Sequence, residues 1–214
     1  MKLIEDTEFL VIDFETITPK GRPPEPIEVG LLRIKQNKID NNASISCLIK
    51  PPEGLYLTSF DTAQTGITEK DLEKGIDAKR AMRSINKICS KKDYLFVAQN
   101  AKYEANILAR YTDECKEIAK TPIIDTILLA KQVLPNLSNY KLNTLANTLG
   151  LQVPVDRHRA LADCFLTAGV FLELLKLHKE QQKTTYLEDL LRIAEIETKY
   201  NKPKQLTFED MFEL

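Results

Sequence analysis

The sequence predicts an α/β protein. Its mixed sheet begins with three antiparallel strands, continues as alternating helices and parallel strands, is flanked by helices, and is followed by a C-terminal helical tail. Three observations lead there. Apolar segments rich in β-branched and aromatic residues crowd the first fifty positions. From Asp77 onward, apolar residues at helical spacing alternate with short apolar runs. The longest apolar run, Ala160 to Leu177, comes late and carries Asp163, Glu173 and Lys176, which suits a buried helix and not a membrane span. Strands first and alternation later is the order of a mixed sheet with helices packed on it.

The elements follow in turn. Glu8 to Phe14 (EFLVIDF), Ile27 to Ile34 and Ala43 to Ile49 read as strands. A Pro/Gly/Lys-rich loop, Thr18 to Pro26, separates the first two. Gln36, Asn37, Lys38, Asn41 and Asn42 supply turn chemistry between the second and third, so the three form an antiparallel meander closed by Pro51 and Pro52. Ala81, Ile85 and Ile88 share one helix face after Asp77. A strand at Tyr94 to Ala98 and a helix over Ala101 to Tyr111 come next. A short strand at Ile123 and Ile124 leads into helices over Thr126 to Val133 and Leu142 to Leu149, the latter stopped by Gly150. The long helix starts after Arg159. Beyond His178 the composition shifts to KEQQKTT, then a helix from Tyr186 to Tyr200, Pro203 and the closing QLTFEDMFEL. The expected organisation is one domain over residues 1–178 and an appendage over 179–214.

Composition narrows the function classes. Thirty basic and 31 acidic side chains leave a formal charge of −1, so no overall positive field gathers polyanions, and a nucleic-acid ligand would need local help such as metal ions. The four cysteines (Cys47, Cys89, Cys115, Cys164) form no Cys-x-x-Cys pair, which excludes a zinc knuckle and a small disulfide scaffold and fits a reducing cytoplasm. The opening MKLIEDTEFLVIDFE meets acidic residues inside its first apolar stretch, unlike a signal peptide or a membrane span. The expected location is cytoplasmic, with no membrane partner.

Asp13 and Glu15 lie two apart in an apolar strand, so both side chains point to one face. Burying such a pair costs several kcal/mol unless cations compensate, and hard oxygen ligands at this spacing suit Mg²⁺ or Mn²⁺. Alternatively, Glu15 stands at the strand end and faces water. Asp163, among Ala160, Leu161, Ala162, Phe165 and Leu166, needs either a partner or the favourable dipole of a helix start. His158 precedes that helix within reach of such a site, and an imidazole is the side chain best suited to proton abstraction near neutral pH.

Assembled, these residues are recognisable. VIDFET with Asp13 and Glu15, LFVAQNAKYEANIL from Leu95 to Leu108, and HRALAD from His158 to Asp163 resemble, in order and spacing, the three motifs of the DEDDh (DnaQ-like) 3′–5′ exonucleases. That family includes the proofreading epsilon subunit of bacterial DNA polymerase III. Thr65-Gly66-Ile67-Thr68, Ile124-Asp125-Thr126 and LNTLANTLGL add supporting likeness. The resemblance implies a ribonuclease H-like fold and two-metal hydrolysis of terminal phosphodiester bonds, with Mg²⁺ or Mn²⁺ as cofactors and the 3′ end of single-stranded DNA or RNA as partner. It further implies that Asp13, Glu15 and Asp163 hold one ion, that Asp13 bridges to the second, and that His158 takes the proton of the attacking water. The main chain near Thr16 would hold the 3′ end.

Two departures stand out. The family carries aspartate where this chain has Glu104, and its His-Asn pair reads Gln99-Asn100 here. Glutamate keeps the charge but moves its oxygens by about 1.5 Å, so Glu104 is expected to remain functional at a reduced rate, or else to be an exposed helix residue. Asn100 would cap the following helix or bond the substrate backbone. Phe14 and Tyr103 would stack on terminal bases or pack in the core. Arg157, Arg159 and Lys102 would contact phosphates or remain solvated surface charge. The tail Gln205-Leu206-Thr207-Phe208 loosely resembles the peptide that docks bacterial replication proteins on the sliding clamp; folding back on its own domain is the preferred alternative. A rival to the active enzyme is a catalytically weakened binding or scaffolding module that keeps the fold. DNA is favoured over RNA as the substrate, although the motifs themselves read backbone and terminus, not base edges.

Overall fold

A computed structural model describes residues 2–155, 158–182 and 185–196. β1 (Phe9–Ile17), β2 (Glu25–Lys35) and β3 (Lys38–Lys50) form the expected antiparallel meander. Gln36 and Asn37 both adopt left-handed backbone (φ 51° and 55°), the requirement of a two-residue hairpin whose twist matches its strands. α1 (Ser59–Thr65) and α2 (Glu69–Leu72) follow, each opened by a threonine capping box. Between them Gly66, at φ 70°, ends α1 in the left-handed cap that glycine tolerates. β4 (Ile76–Asp77), α3 (Ala78–Cys89), β5 (Leu95–Ala98), α4 (Lys102–Leu108) and α5 (Lys116–Lys120) come next. β6 (Ile123–Asp125), α6 (Thr126–Val133), α7 (Leu142–Thr148) and α8 (Ala160–Gln182) complete the alternation.

The sheet continues beyond the predicted strands. α9 (Leu187–Ala194) stops short of Tyr200, and the chain straightens into β7 (Glu195–Ile196), which pairs antiparallel with β6. Covering the unpaired N–H and C=O groups of the β6 edge outweighs two more residues of helix. The strand order is β4-β3-β2-β1-β5-β6-β7. Among the described residues, no helix is long and apolar enough to cross a membrane.

β1 is central and covered on both faces. One face, with Phe9 and Val11, packs under α6, α7, α8 and α9, where Phe9 meets Phe171 edge to face at 5.1 Å between ring centres. The other, with Leu10, Ile12 and Phe14, packs against α3, α4 and α5. β1, β5 and β6 run parallel in register, Val11 opposite Val97 and Ala98 opposite Asp125. Their carboxyl ends therefore open together, the usual place for a ligand crevice in an α/β sheet. This mixed α/β architecture is ribonuclease H-like.

Candidate active site

β1 extends past Phe14 to Ile17, so Glu15 lies inside a paired strand and not at a solvated end. It is buried, opposite Glu28 of β2, while Asp13 stands opposite Gly30. The register shifts between Glu15 and Thr16, a bulge of the kind that re-aims side chains beside functional sites.

The first turn of α8 closes over this strand for two reasons. Gly30 leaves room: a Cβ there would sit 2.6 Å from the backbone carbon and oxygen of Ala160. Glu28, 1% exposed, pulls the helix in by accepting hydrogen bonds from Arg159 Nε (3.0 Å), Arg159 Nη2 (2.8 Å) and the Ala160 amide (3.0 Å), with Ser46 Oγ donating at 2.8 Å. Burial alone would raise the Glu28 pKa, but these donors and the guanidinium charge outweigh it and hold the carboxyl below its ordinary value. Arg159 therefore serves as a clamp, not as the phosphate contact or loose surface charge its sequence position suggests; Arg157 lies outside the described residues. Immediately before the tied Arg159, His158 takes left-handed backbone (φ 70°). Such backbone in a non-glycine residue is sparsely populated and clusters at functional sites.

The closure brings Glu15, Asp163 and His158 together, with one ligand atom from each within 4.8 Å of the others. Asp13, not one of those three, lines with Asp163 a cleft of about 640 Å³. Glu104, on α4, is 3% exposed, and its Oε2 has no hydrogen-bond partner. Burial, and then the negative charge of Asp13 and of Asp125, push its pKa well above the ordinary carboxylate range. It is not an exposed helix residue. Cys164 lies fully buried beneath the cluster, where burial and then Asp13, Asp163, Glu104 and Glu28 push its thiol pKa well up. A buried carboxylate oxygen without a hydrogen-bond partner, close enough to Asp13 to feel its charge in a site of hard oxygen donors, fits a divalent cation such as Mg²⁺ or Mn²⁺.

The remaining site residues divide. Thr16 Oγ1 and Tyr103 OH are hydrogen-bonded at 2.5 Å, joining the end of β1 to α4. Phe14 is 5% exposed and sits in the core, so the base-stacking role fails for lack of accessible ring, and its core-packing role stands. Asn100 is exposed, lines the cleft and has left-handed backbone (φ 61°), while the cap of α4 falls on Ala101 without a side-chain bond; Asn100 does not cap that helix. Lys102 is exposed.

Gln99 and Asp125, to which the sequence assigned no role, hold this turn in place. Gln99 spans it, accepting from Thr126 Oγ1 (2.5 Å) and donating to the Tyr140 carbonyl (2.8 Å). Asp125 accepts from the Ile127 amide at 2.8 Å, with the amides of Asn100, Ala101 and Leu128 also directed to it. Burial raises the Asp125 pKa, and those amides hold it partly down. An acid inside the apolar strand Ile27 to Ile34 and a helix-starting Asp-Thr were the available signals for Glu28 and Asp125, but neither names its partner.

An acidic pair on a central strand, Glu15 buried and Asp13 half-buried, closed by a helix that carries Asp163 and is preceded by His158, is an arrangement suited to metal-assisted hydrolysis. The exonuclease family profile, RNase_T, matches residues 10–171, and the chain belongs to that family. It is an exonuclease domain related to the DnaQ-like, DEDDh 3′–5′ exonucleases, and thus a nuclease-type hydrolase. It is 33% identical over 181 residues to the PolC-type DNA polymerase III of Thermotoga maritima, an alignment covering 82% of this chain and 12% of that protein. A DNA polymerase III subunit epsilon-like protein of Rhodobacter capsulatus is 28% identical, covering 86% of this chain and 26% of that one. This chain thus corresponds to a small part of the length of these relatives. In structure it resembles the nuclease domain of 3′hExo, a DEDDh family member bound to rAMP (TM-score 0.69, 17% identity, 81% of this chain and 93% of that one). It also resembles Exonuclease X in complex with 5′ overhanging duplex DNA (TM-score 0.61, 22% identity, 86% and 98%).

Proposed function

We propose that this domain is a 3′–5′ exonuclease dependent on two divalent ions, Mg²⁺ or Mn²⁺. It would remove nucleoside monophosphates from the 3′ end of single-stranded nucleic acid, DNA in preference to RNA. The observation that carries this reading is the convergence of Glu15, Asp163 and His158 within 4.8 Å, beside Asp13 and the buried Glu104. Asp13, Glu15 and Asp163 would hold one ion and Asp13 would share the second, with Glu104 completing the negative cage. When bound, the ions supply neutralisation of the acidic cluster and stabilisation of charge on the attacking and leaving oxygens. His158 accepts the proton of the attacking water, and its sharp backbone turn aims the imidazole at the carboxylates. Thr16, held by Tyr103, and the adjacent main chain orient the terminal nucleotide, while Asn100 contacts the strand across the cleft. A scaffold that had abandoned chemistry gains nothing from a buried Glu104 against Asp13, which favours the enzyme over the weakened module.

The same reading takes residues 1–178 as the exonuclease domain and 179–214 as its appendage, within which α9 and β7 cover the sheet edge. The PolC-type and epsilon-like relatives support action beside a replicative polymerase, in the cytoplasm, where the free cysteines are at home. Docking on a sliding clamp through Gln205–Phe208 rests on residues outside the described ones; deletion of 203–214 with clamp-binding and melting measurements tests it. The central test is release of mononucleotides from a 3′-labelled single strand with Mn²⁺ or Mg²⁺. Release is expected from the parent and lost in Asp13→Ala; equal release from that variant would place the activity elsewhere.

A further inference from the structure

The cleft lined by Asp13 and Asp163 does not include Thr16 or Tyr103 in its lining. Lys131, Tyr140 and Lys141 form another part of its wall, together with Asn100. Neither lysine forms an ion pair among the described residues, and both are exposed. Lys131 Nζ stands 5.8 Å from the centre of the Tyr140 ring, a cation–π contact that steers the long side chain toward that ring. The wall is fixed. Tyr140 OH donates to the Leu134 carbonyl at 2.9 Å, its own carbonyl is tied to Gln99, and Asn139 Oδ1 accepts from the Lys141 amide (3.2 Å) and Thr144 Oγ1 (2.7 Å). Gln99 is held in turn by Thr126, so this wall is tied to the turn that carries Asn100. A site that gathers carboxylates, in a chain of net charge −1, has little general attraction for a polyanion. Two uncompensated cations in the wall of the same cleft supply it locally.

We infer that Lys131, Lys141 and Tyr140 form a backbone subsite for the strand upstream of the scissile bond, the lysines holding internucleotide phosphates and the Tyr140 ring a base or sugar face. This rests on the proposed exonuclease reading: with the terminal nucleotide at Thr16 and Tyr103, the rest of the strand leaves past Asp13 into this cleft. A terminal nucleotide alone never reaches the wall. The subsite therefore gives a preference for polynucleotide over any single-nucleotide diester, without reading sequence.

The test compares two substrates on the full chain with Mn²⁺: a single-stranded oligonucleotide and the p-nitrophenyl ester of thymidine 5′-monophosphate, whose one phosphodiester has no upstream neighbour. If the parent hydrolyses neither, the exonuclease reading itself fails. With the parent active on both, the Lys131→Ala/Lys141→Ala variant is expected to lower the ratio of kcat/KM for strand over ester about tenfold, through KM for the strand, and to flatten the salt dependence of strand binding by about 0.7 per lost contact. Lys131→Arg/Lys141→Arg, which keeps both charges, is expected to restore the ratio and guards against misfolding of the alanine variant. A ratio and salt slope unchanged in the alanine variant, or lost equally in the arginine variant, overturns the subsite.

Discussion

Glu28 and Arg159 are 131 positions apart in the sequence and form a two-pronged ion pair between β2 and the start of α8, with Nε and Nη2 donating at 3.0 and 2.8 Å. The pair ties the start of α8 to β2, and the Ala160 amide adds a third bond to the same carboxylate. His158 and Asp163 take their places from this joint. Glu28→Gln keeps the shape but removes the charge. Because the Arg159 side chain is 42% exposed and can turn to water, the expected cost is about 1–2 kcal/mol and not the larger penalty of a fully buried pair. The pH dependence has a definite sign. The folded-state pKa of Glu28 lies below its ordinary 4.5, so the unfolded chain takes up the proton first. The pair's contribution is complete above 4.5 and disappears as pH falls through the lower folded value. Urea midpoints measured between about pH 2.5 and 7 should therefore drop less steeply on the acid side in Glu28→Gln; parallel acid limbs would refute the linkage.

Gly30→Ala tests the other half of the joint. The added methyl carbon would stand 2.6 Å from Ala160 backbone and 2.7 Å from the Leu161 nitrogen, and backbone cannot swing aside as a flexible side chain can. Either β2 or the start of α8 must shift. The expected cost is about 1–3 kcal/mol, with Asp163 and His158 moved away from Glu15. Melting temperature and Mn²⁺ affinity, measured together, should both fall; a variant that melts lower yet binds Mn²⁺ unchanged would show that the site does not depend on this approach.

The meander and α8 were legible in the sequence because their signals are local: Gln36-Asn37 dictates the hairpin, and the apolar run of α8 marks a buried helix. Asp13, Glu15 and Asp163 were conspicuous because each is a charge inside an apolar segment, whereas His158, set between two arginines, stood out only by its place just before the long helix. The clamp was not. Nothing near Arg159 names Glu28, and nothing near Gly30 announces that a helix start from the far end of the chain will rest on it. β7 was lost to a helical pattern because two residues of edge pairing carry almost no periodicity, and α1, α2 and α5 are too short to show one. For Phe14 the sequence left stacking and core packing both open, and the covering of both faces of β1, which only the packing of α4 reveals, decides for the core.

Metal binding and stability should be coupled through the carboxylates. Without cations, Glu104 is buried against Asp13 with an oxygen that has no partner, so the cation-free fold carries a repulsive cluster. Saturating Mn²⁺ should raise stability by about 2.7 kcal/mol at a hundred times its Kd, and a chelator should reverse it. Glu104→Gln, relieved of one charge, should melt higher than the parent in chelator, gain less from Mn²⁺, and release fewer nucleotides. Glu104→Asp restores the shorter acid of the family pattern and should leave or raise the nuclease rate. Collapse of activity in that variant would mean the site has been rebuilt around glutamate.

Asp125 offers a sharper test of how the turn before α4 is held, since it lies behind the site. Asn100 at φ 61° followed by Ala101 at φ −49° and ψ −21° alternates left- and right-handed backbone, which makes successive amides converge on one point. The Asp125 carboxylate occupies that point while also capping α6 through the Ile127 amide at 2.8 Å. One anion thus joins two helix starts and fixes the placement of Asn100 on the cleft and of Glu104 in the first turn of α4. Asp125→Asn removes the charge and presents an NH₂ to converging N–H groups, so it should cost about 1–2 kcal/mol. The nuclease rate should fall further than a stability loss of that size explains at a temperature where the variant is fully folded, with kcat reduced more than KM, since Asp125 touches no substrate. Asp125→Glu, which keeps the charge but overreaches, should recover part of the rate. If Asp125→Asn loses stability but keeps the parental kcat, then the turn holds its shape without the anion, and Asn100 owes its backbone to its own tolerance of that region.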